Sequence, residues 1–106
     1  MITRNDDNIQ ELIDGSTHVM VQLGASWCYP CKQLKPKVEK ISFESPDIVF
    51  AYVDIDASPS YCMKSKVMSV PTVIGYLNGI EVDRVVGSNE SAVKDLLEKL
   101  RNGAKS

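Results

Sequence analysis

Two short segments, residues 17–24 and 48–54, are rich in β-forming residues and largely apolar on both faces. A strand of that composition is buried on both sides, so it lies inside a sheet that is covered above and below. Between them, residues 28–43 carry apolar side chains three or four positions apart, the spacing of one helix face. A strand, a helix and a strand in this order predict a parallel pair joined by a right-handed crossover.

The segments on either side of this unit are also short. Residues 8–15 have a cap-like start, apolar residues at helical spacing and a final glycine, which predicts a first helix. Residues 58–64 begin with Ser-Pro, a helix-starting pair, and predict a brief third helix. Residues 1–3 are a candidate edge strand.

The last third of the chain predicts a hairpin followed by a helix. Residues 72–77 and 80–86 are strand-like and are joined by Asn78-Gly79, a strong signal for an antiparallel hairpin. After Gly87, apolar residues trace one face of a closing amphipathic helix. No linker or repeat divides the 106 residues, of which 43% are hydrophobic, so we expect one α/β domain with a mixed sheet over residues 1–106.

The net charge and the composition argue against several classes of function. The formal charge is -2, which leaves no basic excess for nucleic-acid phosphates or for an anionic membrane. Residues 1–15 have neither the apolar core of a secretion signal nor the acid-poor composition of a transit peptide. No apolar run approaches the roughly 18 to 20 residues that span a bilayer. We therefore expect a cytoplasmic protein without nucleic-acid or membrane partners.

Residues 27–32 read WCYPCK, and the two cysteines three positions apart can clasp a metal, lock a turn or exchange electrons with a disulfide. A closed zinc site needs four ligands, and Cys28, Cys31, Cys62 and His18 would use every cysteine and histidine in the chain. A structural disulfide over so short a span restrains little of the unfolded chain. In a reducing compartment the pair is better explained by redox chemistry, and we expect no metal.

Several motifs follow the order found in thioredoxins, and the resemblance covers nearly the whole chain. In sequence they are a buried strand leading into Trp27-Cys28-x-Pro30-Cys31-Lys32, then Pro36, Val70-Pro71-Thr72, Asn78-Gly79 and Gly87. The chain therefore resembles the thioredoxin family. The resemblance implies the thioredoxin fold, a central mixed sheet of four to five strands flanked by helices, and a protein that reduces disulfides in other proteins.

The resemblance also implies roles for the cysteine motif. Cys28, the more exposed cysteine in the family, would be the nucleophile and Cys31 the resolving thiol. A cysteine at a helix N-terminus meets free N–H groups and the positive end of the helix dipole, which favour the thiolate. Pro30 would limit the freedom of the loop. Lys32 is interpreted as a solvated helix charge with a modest electrostatic effect on the thiolate, with partner docking as the alternative.

A substrate platform is implied as well. Pro71 would be the cis proline that faces the cysteines, and Val70 would offer backbone groups to an extended substrate. The predicted substrate-binding residues are Trp27, Tyr29, Val70, Pro71 and Gly87.

Two positions depart from the family pattern beneath the cysteines. The family usually has a buried aspartate, thought to accept the proton of the resolving cysteine, where this chain has Gln22, and a lysine where it has Tyr52. An amide cannot exchange a proton near neutral pH. We expect Cys31 to lose its proton through water or the leaving thiolate, and resolution to be slower than in a typical family member.

Tyr29 replaces the glycine common between the cysteines, and either a higher potential or a different choice of substrates would follow. The resemblance implies a monomer reduced by a flavin-dependent thioredoxin reductase that draws on NADPH. The chain has no nucleotide motif and is expected to carry no cofactor. A disulfide oxidase or isomerase, and a non-catalytic binding subunit with this fold, remain the alternatives.

We expect simpler roles for the remaining sulfur-containing and acidic side chains. Cys62 is interpreted as a packed thiol, with a regulatory or dimer-forming thiol as the alternative. Met63 and Met68 are expected to pack in the interior, with contact to the substrate platform as the alternative for Met68. Asp54 and Asp56 are expected to end a strand and face water, with assistance to proton transfer as the alternative for Asp54.

Overall fold

The computed structural model describes residues 1–103 and shows strands and helices in alternation. The strands are β1 (Ile2–Arg4), β2 (His18–Gly24), β3 (Val49–Asp54), β4 (Thr72–Leu77) and β5 (Ile80–Val86). The helices are α1 (Ile9–Gly15), α2 (Tyr29–Phe43), α3 (Pro59–Lys64) and α4 (Glu90–Arg101). Each element lies within about two residues of the segment predicted for it, and the candidate edge strand is present as β1.

The five strands form one mixed sheet in the order β1-β3-β2-β4-β5. β3 is parallel to both β1 and β2, whereas β4 is antiparallel to β2 and β5. The predicted α/β architecture with a parallel β2–α2–β3 unit and a terminal hairpin is confirmed. The hairpin turns at Asn78 and Gly79, whose φ angles of 51° and 80° both lie in the left-handed region that this turn requires.

Alternate residues of the central strands enter two separate cores. On one face, Met20, Phe50 and Val73 pack under α2 and α4. On the other face, Val21, Val53 and Ile74 pack under α1 and α3 in a second cluster. The sheet is therefore the middle of three layers, and the period of two along β2 decides which side chains lie on the side of α2.

The two predicted helix starts are in place, but their side chains do not form the expected caps. Asn8 precedes α1, and its Oδ1 accepts from the backbone N–H of Asn5 at 2.8 Å instead of from a helix N–H. Ser58 precedes α3, and its buried hydroxyl has no hydrogen-bond partner among residues 1–103. Pro36 lies inside α2, which continues to Phe43. Within the part of the chain that the structure describes, no helix has the length and apolarity to cross a membrane.

Candidate active site

The two cysteines lie where β2 passes into α2. Cys28 is the N-cap of α2, with extended backbone angles, and Cys31 lies in the first turn. The backbone N–H of Cys31 donates to Sγ of Cys28 over 3.2 Å, so the sulfur takes the capping position that a hydroxyl or carboxylate often occupies. Pro30 also lies in the first turn, where a missing N–H leaves no intrahelical bond unmade.

Cys28 and Cys31 form a disulfide, with Cα atoms 5.3 Å apart. Cys28 is 6% exposed and Cys31 is 1% exposed, so a partner molecule reaches Cys28 first. Around them, Ala25 completes a small apolar cluster against which the half-buried Ile55 and Val70 pack.

The segment before β4 lies against this cluster. The Val70–Pro71 peptide bond is cis, and the carbonyl oxygen of Val70 lies 3.7 Å from Sγ of Cys28. The backbone N–H of Gly87, directly after β5, donates to the carbonyl oxygen of Pro71 at 2.8 Å. The structure therefore brings Val70, Pro71 and Gly87 together next to Cys28, although they come from two different connections.

Trp27 is exposed, and its indole Nε1–H donates to Oδ2 of Asp56 at 2.9 Å. Asp54 in turn positions Asp56, since Oδ1 of Asp54 accepts from the backbone N–H of Asp56 at 2.8 Å. Asp56 is exposed as expected, and it also accepts this hydrogen bond, which the sequence did not predict. The parallel pairing of β2 and β3 could have revealed the contact, because residues that follow parallel neighbours lie at the same sheet edge.

Two further predicted site residues, Tyr29 and Lys32, lie on the outside of the first turn of α2 and are exposed. The hydroxyl of Tyr29 accepts from Nε2 of Gln33 at 3.2 Å, one turn along the helix. Tyr29 therefore projects beside the disulfide and does not cover it.

Gln22 is 1% exposed and shares the sheet face with Met20, the face covered by α2 and α4. Neither its Oε1 nor its Nε2 has a hydrogen-bond partner among residues 1–103. In register, Gln22 lies between Tyr52 of β3 and Val73 of β4.

Tyr52 is half-buried beside Gln22. Burial, and then the negative charge of Asp54, raises the pKa of its hydroxyl, so it stays neutral near pH 7. A Cβ at Gly24 would lie only 2.6 Å from the Tyr52 hydroxyl oxygen, so a larger residue there would displace the tyrosine side chain. The Nζ of Lys35 lies 4.1 Å from the centre of the Tyr52 ring, which places an ammonium group over the aromatic face.

The expectation that Met63 and Met68 pack in the interior is wrong. Both are exposed, Met68 by 93%, because they lie on the outer side of α3 and in the turn that leads to β4. They line a shallow concavity of about 590 Å³ together with Ile55 and Cys62. Cys62 is half-buried, with Sγ 3.8 Å from the carbonyl oxygen of Val67.

The arrangement contains the parts that thiol-disulfide exchange needs. Two cysteines close enough to bond, one of them capping a helix and the other deeper, can alternate between dithiol and disulfide. In the described residues 1–103, no three His, Cys, Asp or Glu side chains form a group suited to a metal ion.

Comparison with known proteins shows the same pattern over most of the chain. The thioredoxin family model matches residues 1–100. Thioredoxin-2 of Saccharomyces cerevisiae is 40% identical over 86 residues, which cover 81% of this chain and 83% of the yeast protein. Thioredoxin of Chlamydia muridarum is 41% identical over 96 residues, 91% of this chain and 90% of its own. The X-ray structure of Fasciola hepatica thioredoxin superimposes with a TM-score of 0.89 at 31% identity, covering 94% of this chain and 99% of that one.

Proposed function

This chain belongs to the thioredoxin family, and we propose that it passes electrons from a thioredoxin reductase to protein disulfides through Cys28 and Cys31. Family membership and the Cys28–Cys31 pair make it a thiol-disulfide oxidoreductase that acts on protein substrates. The proposal adds the role of each cysteine, the upstream donor and the surface that receives the substrate.

Cys28 is the attacking thiolate in this proposal. The observation that carries the assignment is the 3.2 Å hydrogen bond from the Cys31 backbone N–H to Sγ of Cys28 at the start of α2. A donor and a helix N-terminus both favour the charged form of a sulfur, which is the nucleophilic form. The greater exposure of Cys28 supports the same order of events.

The exchange then runs in two balanced steps. The Cys28 thiolate attacks one sulfur of the substrate disulfide, so that a mixed disulfide forms and the other substrate sulfur leaves as a thiolate. Cys31, as its thiolate, attacks Sγ of Cys28, forms the Cys28–Cys31 disulfide and releases the second substrate sulfur. Two electrons and two protons pass to the substrate in total, and this protein ends in the disulfide form.

The substrate lies along Val70 and Pro71 in this proposal. Val70 precedes β4, so its backbone groups are not used by the paired strand residues, and its carbonyl is already beside Sγ of Cys28. An extended substrate segment can pair with such groups as an added strand does. Gly87 is hydrogen-bonded to Pro71, and the exposed Trp27 and Tyr29 are the chain neighbours of Cys28, which supports including all three in the substrate surface.

An external donor is needed because every turnover leaves the dithiol oxidised. A thioredoxin reductase using NADPH is the proposed donor, with the protein acting as a monomer in the cytoplasm, where a reductant of this kind finds its substrates. Reduction by purified reductase and NADPH, sedimentation equilibrium and cell fractionation test these three points separately.

The central test is the reduction of insulin disulfides with dithiothreitol as electron source. Cys28→Ser is expected to fall to the rate of dithiothreitol alone, because the attacking sulfur is gone. Cys62→Ser is the matched control, since Cys62 lies on α3 outside the disulfide, and it is expected to keep the wild-type rate. A Cys28→Ser protein that still accelerated insulin reduction would overturn the assignment of the nucleophile.

A further inference from the structure

The outer side of α2 carries a row of lysines that the exchange reaction does not use. Lys32, Lys35 and Lys40, here called the lysine stripe, lie on exposed positions of α2 that are three and five residues apart. With Pro36 and Phe43 they line a concavity of about 510 Å³ on the side of α2 opposite its buried face. Glu39 is the carboxylate that also lines it, so positive charge dominates.

The charges of the stripe are not neutralised by ion pairs. Among residues 1–103, none of its three lysines forms an ion pair. Four cationic side chains elsewhere are paired, Lys94 with Glu90, Lys99 with Asp83, Arg84 with Glu81, and Arg101 with Asp47 and Glu98, whereas Arg4, Lys37, Lys64 and Lys66 also form no ion pair among residues 1–103. In a chain of net charge -2, the stripe is thus a local excess of positive charge that remains open to a partner.

The stripe also has a fixed position and an apolar end. Lys35 is held with its Nζ 4.1 Å from the centre of the Tyr52 ring, so a partner meets an ammonium group that is already oriented. Phe43, at the far end, is 78% exposed and offers apolar area to a partner. The near end is Lys32, the residue after Cys31, so the stripe begins at the disulfide.

We propose that the lysine stripe and Phe43 bind an acidic segment of the protein substrate that also carries a large apolar side chain. The inference rests on the proposed function, because it concerns the chain that flanks the reacting disulfide. Helix α2 rises ~16 Å between Lys32 and Phe43 at 1.5 Å per residue. An extended segment of about five residues spans that length. Substrates whose cysteine is followed or preceded by acidic residues and then by an apolar residue about five positions away are therefore preferred.

A protein segment fits this surface better than a nucleic acid does. Pro36 and Phe43 supply apolar area that a phosphate backbone cannot use, and Glu39 would repel a uniformly charged polyanion. An acidic peptide can place its carboxylates between the lysines and bury an apolar side chain against Phe43.

The test compares three synthetic peptides with the same disulfide. One flank carries Asp and Glu followed by Phe, the second carries Ser and Gln followed by Phe, and the third carries Asp and Glu followed by Ala. At low ionic strength, the acidic peptide with Phe is expected to have a kcat/KM about five- to tenfold above that of the neutral peptide, since three exposed charge contacts each add a little. The third peptide is expected to fall between them, and about 0.3 M NaCl should remove most of the preference.

Paired variants show whether the stripe is responsible. Lys35→Gln/Lys40→Gln is expected to reduce the acidic-to-neutral ratio of kcat/KM below about twofold. Lys94→Gln/Lys99→Gln removes the same charge from lysines on α4 that are already paired, and is expected to keep the wild-type ratio. Phe43→Ser is expected to make the acidic peptides with Phe and with Ala equivalent.

The outcomes separate this proposal from the proposed function. If no peptide is reduced, the proposed function fails. If all three are reduced at equal rates, or if both double variants lower the ratio equally, the docking surface is refuted and the reductase activity stands. A single-stranded oligonucleotide that inhibits reduction of the acidic peptide more strongly than excess acidic peptide does would assign the stripe to nucleic acid and would also refute the proposal.

Discussion

The face of the central sheet that carries α1 and α3 buries two tyrosines whose hydroxyl groups meet. Tyr61 of α3 and Tyr76 of β4 lie with their hydroxyl oxygens 2.6 Å apart, so each polar group has a partner inside the core. The opposite face, under α2 and α4, buries Gln22, and neither polar atom of its amide is partnered among residues 1–103. Both sites are nearly closed to solvent, and they differ in whether the buried polarity is satisfied.

The two faces of the sheet differ in whether their buried polar groups are hydrogen-bonded, and therefore in whether burying them costs stability. A buried polar group without a partner costs about 1–3 kcal/mol relative to one that is bonded or absent. The paired tyrosines avoid that loss, whereas Gln22 bears it on the face that packs against α2, the helix that presents Cys28 and Cys31. Gln22 is thus a polar side chain in the apolar layer under α2, and its substitution measures whether that polarity costs stability.

The largest effect is expected from Gln22→Asp, which returns a carboxyl group to the buried layer. General-base assistance is typically worth about 10²–10⁴ in rate, so the resolution of the mixed disulfide by Cys31 should accelerate by at least about tenfold. The measurement is a single-turnover assay of substrate release as a function of pH. Gln22→Asn is the matched control, since it has the size of aspartate without the ionisable group. An unchanged rate and pH profile in Gln22→Asp would show that this position takes no part in proton transfer.

The same variant should lose several kcal/mol of stability, because an unpaired carboxylate is costly to bury. Burial raises the pKa of such a carboxyl in the folded state above the value of about 3.9 that it has when unfolded. The folded state is then relatively favoured at acidic pH, and its stability is lost as the pH rises through the raised pKa. Urea unfolding at pH 4 and pH 8 should show Gln22→Asp close to Gln22→Asn at the lower pH and well below it at the higher. A higher melting temperature at pH 8 would contradict the burial of this side chain.

Tyr61→Phe tests the tyrosine pair, in which the two buried hydroxyl groups are hydrogen-bonded to each other. It leaves the hydroxyl of Tyr76 without its 2.6 Å partner in the core, and a loss of about 1–3 kcal/mol in the free energy of unfolding is expected. Tyr61→Phe/Tyr76→Phe removes both groups and should recover most of the loss. A double variant as unstable as the sum of the two single variants would show that the hydroxyl pair is not the relevant interaction.

The tyrosine pair also predicts an alkaline limit. Burial raises the pKa of both hydroxyls, most strongly that of Tyr61, where the neighbouring Tyr76 adds to the effect. The unfolded chain releases these protons near pH 10 while the folded chain holds them. Stability is therefore intact below pH 10 and falls above it, and the double phenylalanine variant should fall less steeply in urea unfolding between pH 9 and 11.

The sequence carried enough information to place the elements and the reactive pair. β4 and β5 have the bounds expected from the strand-like residues on either side of Asn78-Gly79, because a two-residue turn fixes the pairing next to it. The register shift between Gly75 and Tyr76 was not predicted. Cys28 and Cys31 were identifiable because their spacing and their place at the start of a helix are local properties. Features set by chain neighbours within a few positions were thus predictable.

Contacts between segments that are distant in the sequence were not predictable. The bond from Trp27 to Asp56 joins residues 29 positions apart and depends on the pairing of β2 with β3. The caps at Asn8 and Ser58 had the right residue types, but the geometry of the preceding loop decided their hydrogen bonds. Met68 is apolar by composition and exposed by position, since nothing in its local sequence shows which side of the α3–β4 connection faces the core.

Gln22→Leu is expected to have a smaller effect than the previous variants, and in the opposite direction. Leucine fills a similar volume without buried polar atoms, so the free energy of unfolding should rise by about 1 kcal/mol. Leu97→Met, a volume-conserving change in the core cluster on the same face, is the control for repacking. A loss of more than about 1 kcal/mol in Gln22→Leu would mean that the amide is satisfied after all, and the contrast between the two faces would disappear.

The smallest effect is expected for the exposed hydrogen bond between Trp27 and Asp56, where Asp56→Ala removes the acceptor of the Trp27 indole. Both partners are open to water, which replaces the lost bond, so stability should change by less than about 1 kcal/mol. Trp27 becomes free to rotate, and its fluorescence should change without a comparable change in unfolding. Asp56→Asn keeps a carbonyl acceptor and should preserve the wild-type emission. A loss of several kcal/mol in Asp56→Ala would mean that the Trp27–Asp56 hydrogen bond stabilises the fold, because only a bond shielded from water contributes that much.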